Sequence, residues 1–277
     1  MPCCNVGSSI FIRGEGMAFS KWDEAKIDRV VAHMRRTRSI LFITGAGLSA
    51  DSNLPTYRGI GGLYNDIETE DGMPIEMLLS GQTLARKPAL TWKYISQVEE
   101  ACRHAAFNRG HAVIAEMESH FQRLCVLTQN VDGFHHDAGS TNVIEIHGNL
   151  HQLLCTACGT RRVVSTYEGL DLPPACESCS GIMRPDVVLF GEMIPHEKIT
   201  ALQNATEIGF GLVFSIGTTS AFEYIARPVI NARTMGIPTV EINPSDTEVS
   251  IVVEIKLPTR AAETLDAIWS RFLTDPS

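Results

Sequence analysis

Five short apolar runs, each closing on glycine or a small polar residue, constrain this chain more than any other feature. "SILFI" passes into Thr44-Gly45-Ala46-Gly47, "LCVL" into Thr128-Gln129-Asn130-Val131-Asp132, and "VIEI" into His147-Gly148-Asn149. "LVFSI" passes into Gly217-Thr218-Thr219, and "PTVEI" into Asn243-Pro244-Ser245. Helix-like segments lie between the runs, the pattern of a parallel sheet covered by helices. Near the two ends, "KWDEAKIDRVVAHMRR" sets Ile27, Val30, Val31 and Met34 on one helical face, and "RAAETLDAIWSRFL" repeats the pattern. In an open α/β sheet the carboxyl ends of the strands form one crevice, which is where ligands bind. One such ending would be an ordinary turn, whereas five point to a site.

The cysteines divide into two kinds. Cys102 and Cys125 sit in helix-like and strand-like runs, where an inert buried thiol is the default. Cys155-Thr-Ala-Cys158 and Cys176-Glu-Ser-Cys179 form two tight knuckles followed by glycine, the spacing of a four-thiolate zinc site rather than of a disulfide pair. All four ligand positions are filled, so the ion is expected to be structural, with none left for a catalytic water. The stretch between the knuckles carries only Arg161 and Arg162 against Glu168 and Asp171, with Glu177 just beyond, a poor phosphate clamp. The net charge of −9 likewise excludes a general nucleic-acid binder and suits basic partners such as lysine-rich peptide.

The first residues, "MPCCNVGSSIFIRGEGM", lack the basic segment followed by an apolar one that marks a secretory signal; Cys3 and Cys4 read as part of a frayed tail, and Met17 as a possible start. No stretch approaches the roughly 18 apolar residues of a membrane span. A soluble, cytoplasmic protein without a membrane role is expected.

Gly45-Ala46-Gly47-Leu48-Ser49-Ala50 fits the G-x-G-x-x-A form of the dinucleotide fingerprint, in which glycines let backbone N–H groups approach a pyrophosphate. A dehydrogenase would continue into a full helix, but Pro55 stops this one after about two turns. The dinucleotide is thus expected to be held with its nicotinamide end facing a glycine-rich loop. Arg58 in that loop either reaches a phosphate or is a solvated arginine.

"GAGLSADSNLPTYR", "TQNVDGFHHDAG", "HGNL", the paired Cys-x-x-Cys, "RPDVVLFGE" and "EINPS" resemble, in order, the motifs of the sirtuins, the Sir2 family of NAD-dependent protein deacylases. The resemblance runs from about residue 38 to 246. It implies an α/β fold: a Rossmann-like parallel-sheet domain (20–58, 107–150 and 186–277) and a smaller domain of helical flap and zinc ribbon (59–106 and 151–185). An acyl-lysine protein or peptide would thread between the two, opposite NAD, beside one structural zinc ion on Cys155, Cys158, Cys176 and Cys179.

The chemistry so implied is not hydride transfer. The acyl oxygen attacks the anomeric carbon of the nicotinamide ribose, nicotinamide leaves, and a positively charged alkylimidate forms. His147 matches the family's catalytic histidine, the general base that activates a ribose hydroxyl; otherwise it would be a capping or core histidine. Asn130 and Asp132 match the pair placed around the nicotinamide and its ribose, Asn130 counting as catalytic, in an ungapped run that also includes Gln129. Gly45, Ala46 and Gly47 are expected at NAD, with Ser49 and Arg58 supporting the diphosphate and ribose. Gly217 and Thr218 or Ser220 would lie near the adenosine phosphate, and Asn243 near the adenosine ribose. His135 occupies the family's usual histidine position, and His136 reads as incidental surface. Val188, Leu189, Phe190, Gly191 and Glu192 resemble the segment that pairs with substrate backbone by β-augmentation.

Three departures matter. Asn53 replaces a common glycine and Tyr57 a usual phenylalanine, both tolerable. "GTTSAFEYIARPV" is longer than the usual segment, which leaves the phosphate contact open between Thr218 and Ser220 and puts the second substrate-pairing strand in doubt. Where desuccinylating sirtuins carry Tyr-x-x-Arg, this chain has Ile95 and Val98, so a neutral acyl pocket and deacetylation are expected. The rival reading is an ADP-ribosyltransferase that shares the NAD site and passes the ribose to protein; a non-enzymatic reader would need a lost base.

Overall fold

The computed structural model describes residues 19–55 and 69–274. Tyr57, Arg58 and the glycine-rich loop after them lie outside the described residues, so the expectation placed on Arg58 is carried no further.

Helix α1 (Lys21–Arg36) starts where the Ser20 hydroxyl accepts the N–H of Asp23. Acids in its first turn and bases in its last oppose the helix dipole. Strand β1 (Ser39–Thr44) follows, then α2 (Ala46–Ser49) and a single 3-10 turn (Ala50–Ser52). That helix ends on Asn53 at φ 62, a left-handed stop that asparagine tolerates, just before Pro55. A helical layer comes next: α3 (Ile75–Leu78), α4 (Gly81–Arg86) and α5 (Pro88–Arg103), the last opened by a proline whose missing N–H costs nothing in the first turn.

The chain then returns through α6 (Arg109–Met117), β2 (Arg123–Thr128), α7 (Phe134–Asp137) and β3 (Val143–Glu145). It leaves again into β4 (Gly148–Cys155), β5 (Arg161–Val163) and β6 (Met183–Val187). The final stretch is α8 (His196–Glu207), β7 (Leu212–Ile216), α9 (Glu223–Thr234), β8 (Thr239–Ile242), β9 (Ile255–Leu257) and α10 (Ala261–Thr274).

Six strands form one parallel sheet in the order β3-β2-β1-β7-β8-β9. All five apolar runs read from the sequence are in it. Successive side chains of a strand face opposite ways, and the burial follows this alternation. Ile40 and Phe42 of β1 join α1, α6 and α10 in one core, while Leu41 and Ile43 join α9 in another. Phe42 stacks on Phe214 of β7 with ring centroids 4.8 Å apart, and truncating such a ring to alanine costs about 3–5 kcal/mol.

A three-stranded antiparallel sheet, β5-β4-β6, stands apart and shares a third core with α5. Trp92 of α5 is fully buried in it, and its indole N–H donates to the Met183 carbonyl at 3.0 Å. The two sheets meet at Gly148. At φ +91 it begins β4 one residue after His147, and a Cβ there would sit 1.8 Å from the Asp186 carbonyl oxygen; only glycine permits the crossing.

Candidate active site

The strand order sets the carboxyl ends side by side: residues 129–132 after β2, 45–49 after β1, 217–220 after β7 and 243–245 after β8. Their polar groups are tied to one another across the strand ends. Gly45 N–H donates to the Ile216 carbonyl at 3.0 Å and Gly47 N–H to the Gly217 carbonyl at 2.8 Å. A Cβ on Gly47 would lie 2.6 Å from Gly217 Cα. The glycines of the fingerprint therefore allow two loop backbones to touch, and their own N–H groups join β1 to β7 rather than standing free.

The next loops continue the rim. Asn130 donates its side-chain amide to the Gly45 carbonyl at 3.1 Å and to Ser49 Oγ at 2.9 Å. Ser49 Oγ in turn donates to Asp132 at 2.6 Å, and the other Asp132 oxygen accepts the Phe134 N–H at 3.0 Å. Burial pushes the Asp132 carboxyl above its ordinary value, and those two donors pull it back. Gln129 donates to Thr218 Oγ1 at 2.7 Å, and Asn243 donates to the Thr218 carbonyl at 3.0 Å.

In front of this rim is a cavity of about 1080 Å³, at the upper end of ligand pockets, which run roughly 300–1,000 Å³. Gly45, Ala46, Gly47, Gln129, Asn130, His147, Gly217, Thr218 and Asn243 all line it, together with 188–192. A smaller adjoining pocket of about 110 Å³ takes in Ala46, Ser49, Asn130 and Asp132, with Tyr94 and Val98 of α5 opposite. Ser220 is different. It is 1% exposed, at φ +54, with its hydroxyl 3.4 Å from that of Ser215, so it faces inward while Thr219 and Ala221 reach the large cavity.

His147 sits on the cavity wall between the two sheets. Its Nδ1–H donates to the Gln129 carbonyl at 3.1 Å, which leaves the lone pair on Nε2. Burial lowers its pKa to about 4, with Lys198 adding a smaller push in the same direction. The imidazole is therefore neutral at ordinary pH. Tyr224 Oη lies 2.7 Å from Nε2, and the Phe222 and Tyr224 rings stack on each other and meet His147 edge-on. Sequence reasoning did not single out these two aromatics; the lengthened segment after Gly217 was their only trace.

His135 is 2% exposed, with Nε2 2.9 Å from Thr44 Oγ1, while His136 faces solvent near Glu145. His111 stands edge-on to His135, with ring centroids 5.0 Å apart.

The segment after β6 is anchored on both sides. Val188 N–H donates to the His147 carbonyl at 2.8 Å and Phe190 N–H to the Leu79 carbonyl at 3.0 Å, while the Phe190 carbonyl accepts Gly81 N–H. Glu192 takes a bidentate bond from Arg184 at 2.5 and 2.9 Å and caps Leu189 N–H at 2.9 Å. Its carboxylate shapes this turn. Ile95 and Val98 face the same cavity from α5.

At the far end of the small sheet the four sulfurs of Cys155, Cys158, Cys176 and Cys179 lie within 4.8 Å of one another. Two of the pairs are 3.5 and 3.7 Å apart. Tetrahedral zinc with bonds of about 2.3 Å spaces its sulfurs by about 3.8 Å, so the donor set fits one structural zinc ion.

The Sir2 family model matches residues 45–223. The chain belongs to the Sir2 family. An NAD-dependent protein deacylase 2 of Pseudomonas aeruginosa is 47% identical over 247 residues, covering 88% of this chain and 96% of that protein. One of the same name from Pseudomonas syringae pv. tomato is 49% identical over 240 residues, with 86% and 96% covered. Among solved structures, a Sir2 homologue in complex with NAD superposes with a TM-score of 0.80 at 30% identity, covering 89% of this sirtuin and 93% of that chain. The parallel sheet, the second small sheet and the cluster of four cysteines are those of a Sir2 fold with its zinc ribbon.

Proposed function

We propose that this sirtuin removes acetyl and related neutral acyl groups from protein lysine, consuming NAD and releasing nicotinamide and O-acetyl-ADP-ribose. The observation that carries the reading is His147: a neutral imidazole, oriented by a backbone carbonyl, with its basic nitrogen on the wall of the cavity shared by the β1 glycine turn and the 188–192 segment. The deacylase names of relatives at 47% and 49% identity support it.

NAD, when bound, supplies an electrophilic ribose carbon that takes the acyl oxygen as nicotinamide departs. His147 Nε2 is the acceptor for the proton of a ribose hydroxyl, and the Gln129 carbonyl compensates the Nδ1–H as charge develops. Asn130 and Asp132 orient the nicotinamide end from the smaller pocket, with Ser49 holding the acid in place. Gly45 to Gly47, Gly217, Thr218 and Asn243 shape the floor for the phosphates and adenosine. Ile95 and Val98, both apolar, would surround the acyl group, so neither offers a carboxylated acyl chain a partner. Peptide main chain would lie along 188–192, whose N–H groups at 188, 189 and 190 are already paired within the chain, and Gly191 at φ +78 lets the backbone turn. The partner is thus an acylated-lysine protein, and the expected compartment is the cytoplasm.

The test is turnover of an acetyl-lysine peptide with and without NAD, followed by mass spectrometry. Nicotinamide and O-acetyl-ADP-ribose should appear together and only with NAD. An unchanged peptide alongside ADP-ribosylated protein would sink the reading in favour of ADP-ribosyl transfer.

A further inference from the structure

The Gln129 carbonyl can only accept, so it fixes the Nδ1–H tautomer of His147 and leaves a single lone pair on Nε2. Tyr224, held neutral because burial raises its pKa to about 12, donates its hydroxyl to that lone pair at 2.7 Å. A ribose hydroxyl activated by His147 needs the same lone pair.

We propose that Tyr224 is a positioning residue for the base: its phenol holds the imidazole in its reacting orientation and then cedes Nε2 to the sugar hydroxyl, so phenol and ligand compete for one hydrogen bond. This rests on the reading of His147 given above.

Two further features bear on how firmly the phenol is held. Pro228 lies inside α9 and has no N–H to give to the carbonyl four residues back, which is that of Tyr224. The helix therefore lacks one backbone hydrogen bond at the residue that touches the base. Phe222, stacked on Tyr224 at 5.4 Å, is 46% exposed, and both rings border the open cavity.

Binding of NAD and of ADP-ribose, measured calorimetrically on the zinc-loaded enzyme, tests the competition. Tyr224→Phe keeps the ring and its stacking and deletes only the hydroxyl. It should tighten both ligands by about two- to tenfold, the weight of one net hydrogen bond, and lower the KM for NAD while leaving that for peptide alone. In a His147→Ala background the same substitution should change nothing. Unchanged or weaker binding in Tyr224→Phe, or an equal gain in both backgrounds, overturns the proposal. Acetyl-peptide turnover by the wild type in the same preparation separates this from a failure of the deacylase reading, which would abolish turnover altogether.

Discussion

Ser49 Oγ donates to the Asp132 carboxylate at 2.6 Å, although one residue closes the turn after β1 and the other lies beyond the end of β2. The bond crosses between neighbouring loops of a parallel sheet, and it offsets part of the desolvation that burial imposes on the acid. Ser49→Ala removes that offset, so the Asp132 pKa rises further. The acidic limb of the kcat/KM profile should therefore move to higher pH. A profile superimposable on the wild type would show that the bond does not tune the acid.

His147→Ala should lower kcat by about 10²- to 10⁴-fold, the usual weight of a general base. Zinc content and NAD affinity should persist, because neither the cysteines nor the rim depends on the imidazole. Because burial lowers its pKa to about 4, the wild-type rate should not fall through the ordinary histidine range near 6.5.

Stability should respond to the other buried histidines. His111 is lowered to about 3 and His135 well below 6.5, both chiefly by burial. Their folded-state values lie under the unfolded ones, so the unfolded chain binds more protons once the pH drops below about 6.5, and stability then declines with acidification. Between pH 7.5 and 5.5 each buried imidazole should cost about 1.4 kcal/mol. Urea denaturation at the two pH values measures it, and equal midpoints would show that these rings are protonated in the fold.

Removal of zinc should unravel the small sheet. Cys155 and Cys176 are 2% and 4% exposed and belong to the same core as Trp92. Cys176→Ala, or treatment with a strong chelator, should release one zinc per chain and lower the melting temperature by at least about 5 °C. Retention of a full equivalent of zinc in the variant would place the ion elsewhere.

The acyl preference should follow Ile95 and Val98. Wild type should turn over acetyl-lysine peptide faster than succinyl-lysine peptide. Introducing Ile95→Tyr with Val98→Arg supplies a carboxylate partner on α5 and should reverse the order, at a packing cost of about 1–3 kcal/mol because Ile95 is buried. A wild type that already favours succinyl peptide contradicts the neutral pocket.

Much of the molecule could be read locally. Strand β1 and its glycine turn, the α1 stripe and the two cysteine knuckles each declare themselves within one element, through side-chain period or ligand spacing. Strand β9 did not, because three residues give too short a run to separate from the coil around them. The side-chain direction of Ser220 was equally hidden, since it depends on a left-handed backbone set by packing against Ser215.

Sequence alone determined five strands of the parallel sheet, that their carboxyl ends are polar and which four cysteines form the zinc-type cluster, because those properties are carried by neighbours along the chain. Only the tertiary structure decided that β7 lies against β1, so that Gly47 and Gly217 touch and share their hydrogen bonds. It also brought Tyr224 to Nε2 of a histidine 77 residues earlier. Such contacts are set by the order in which buried strands pair and by the space left when their faces close, and no local spacing encodes either.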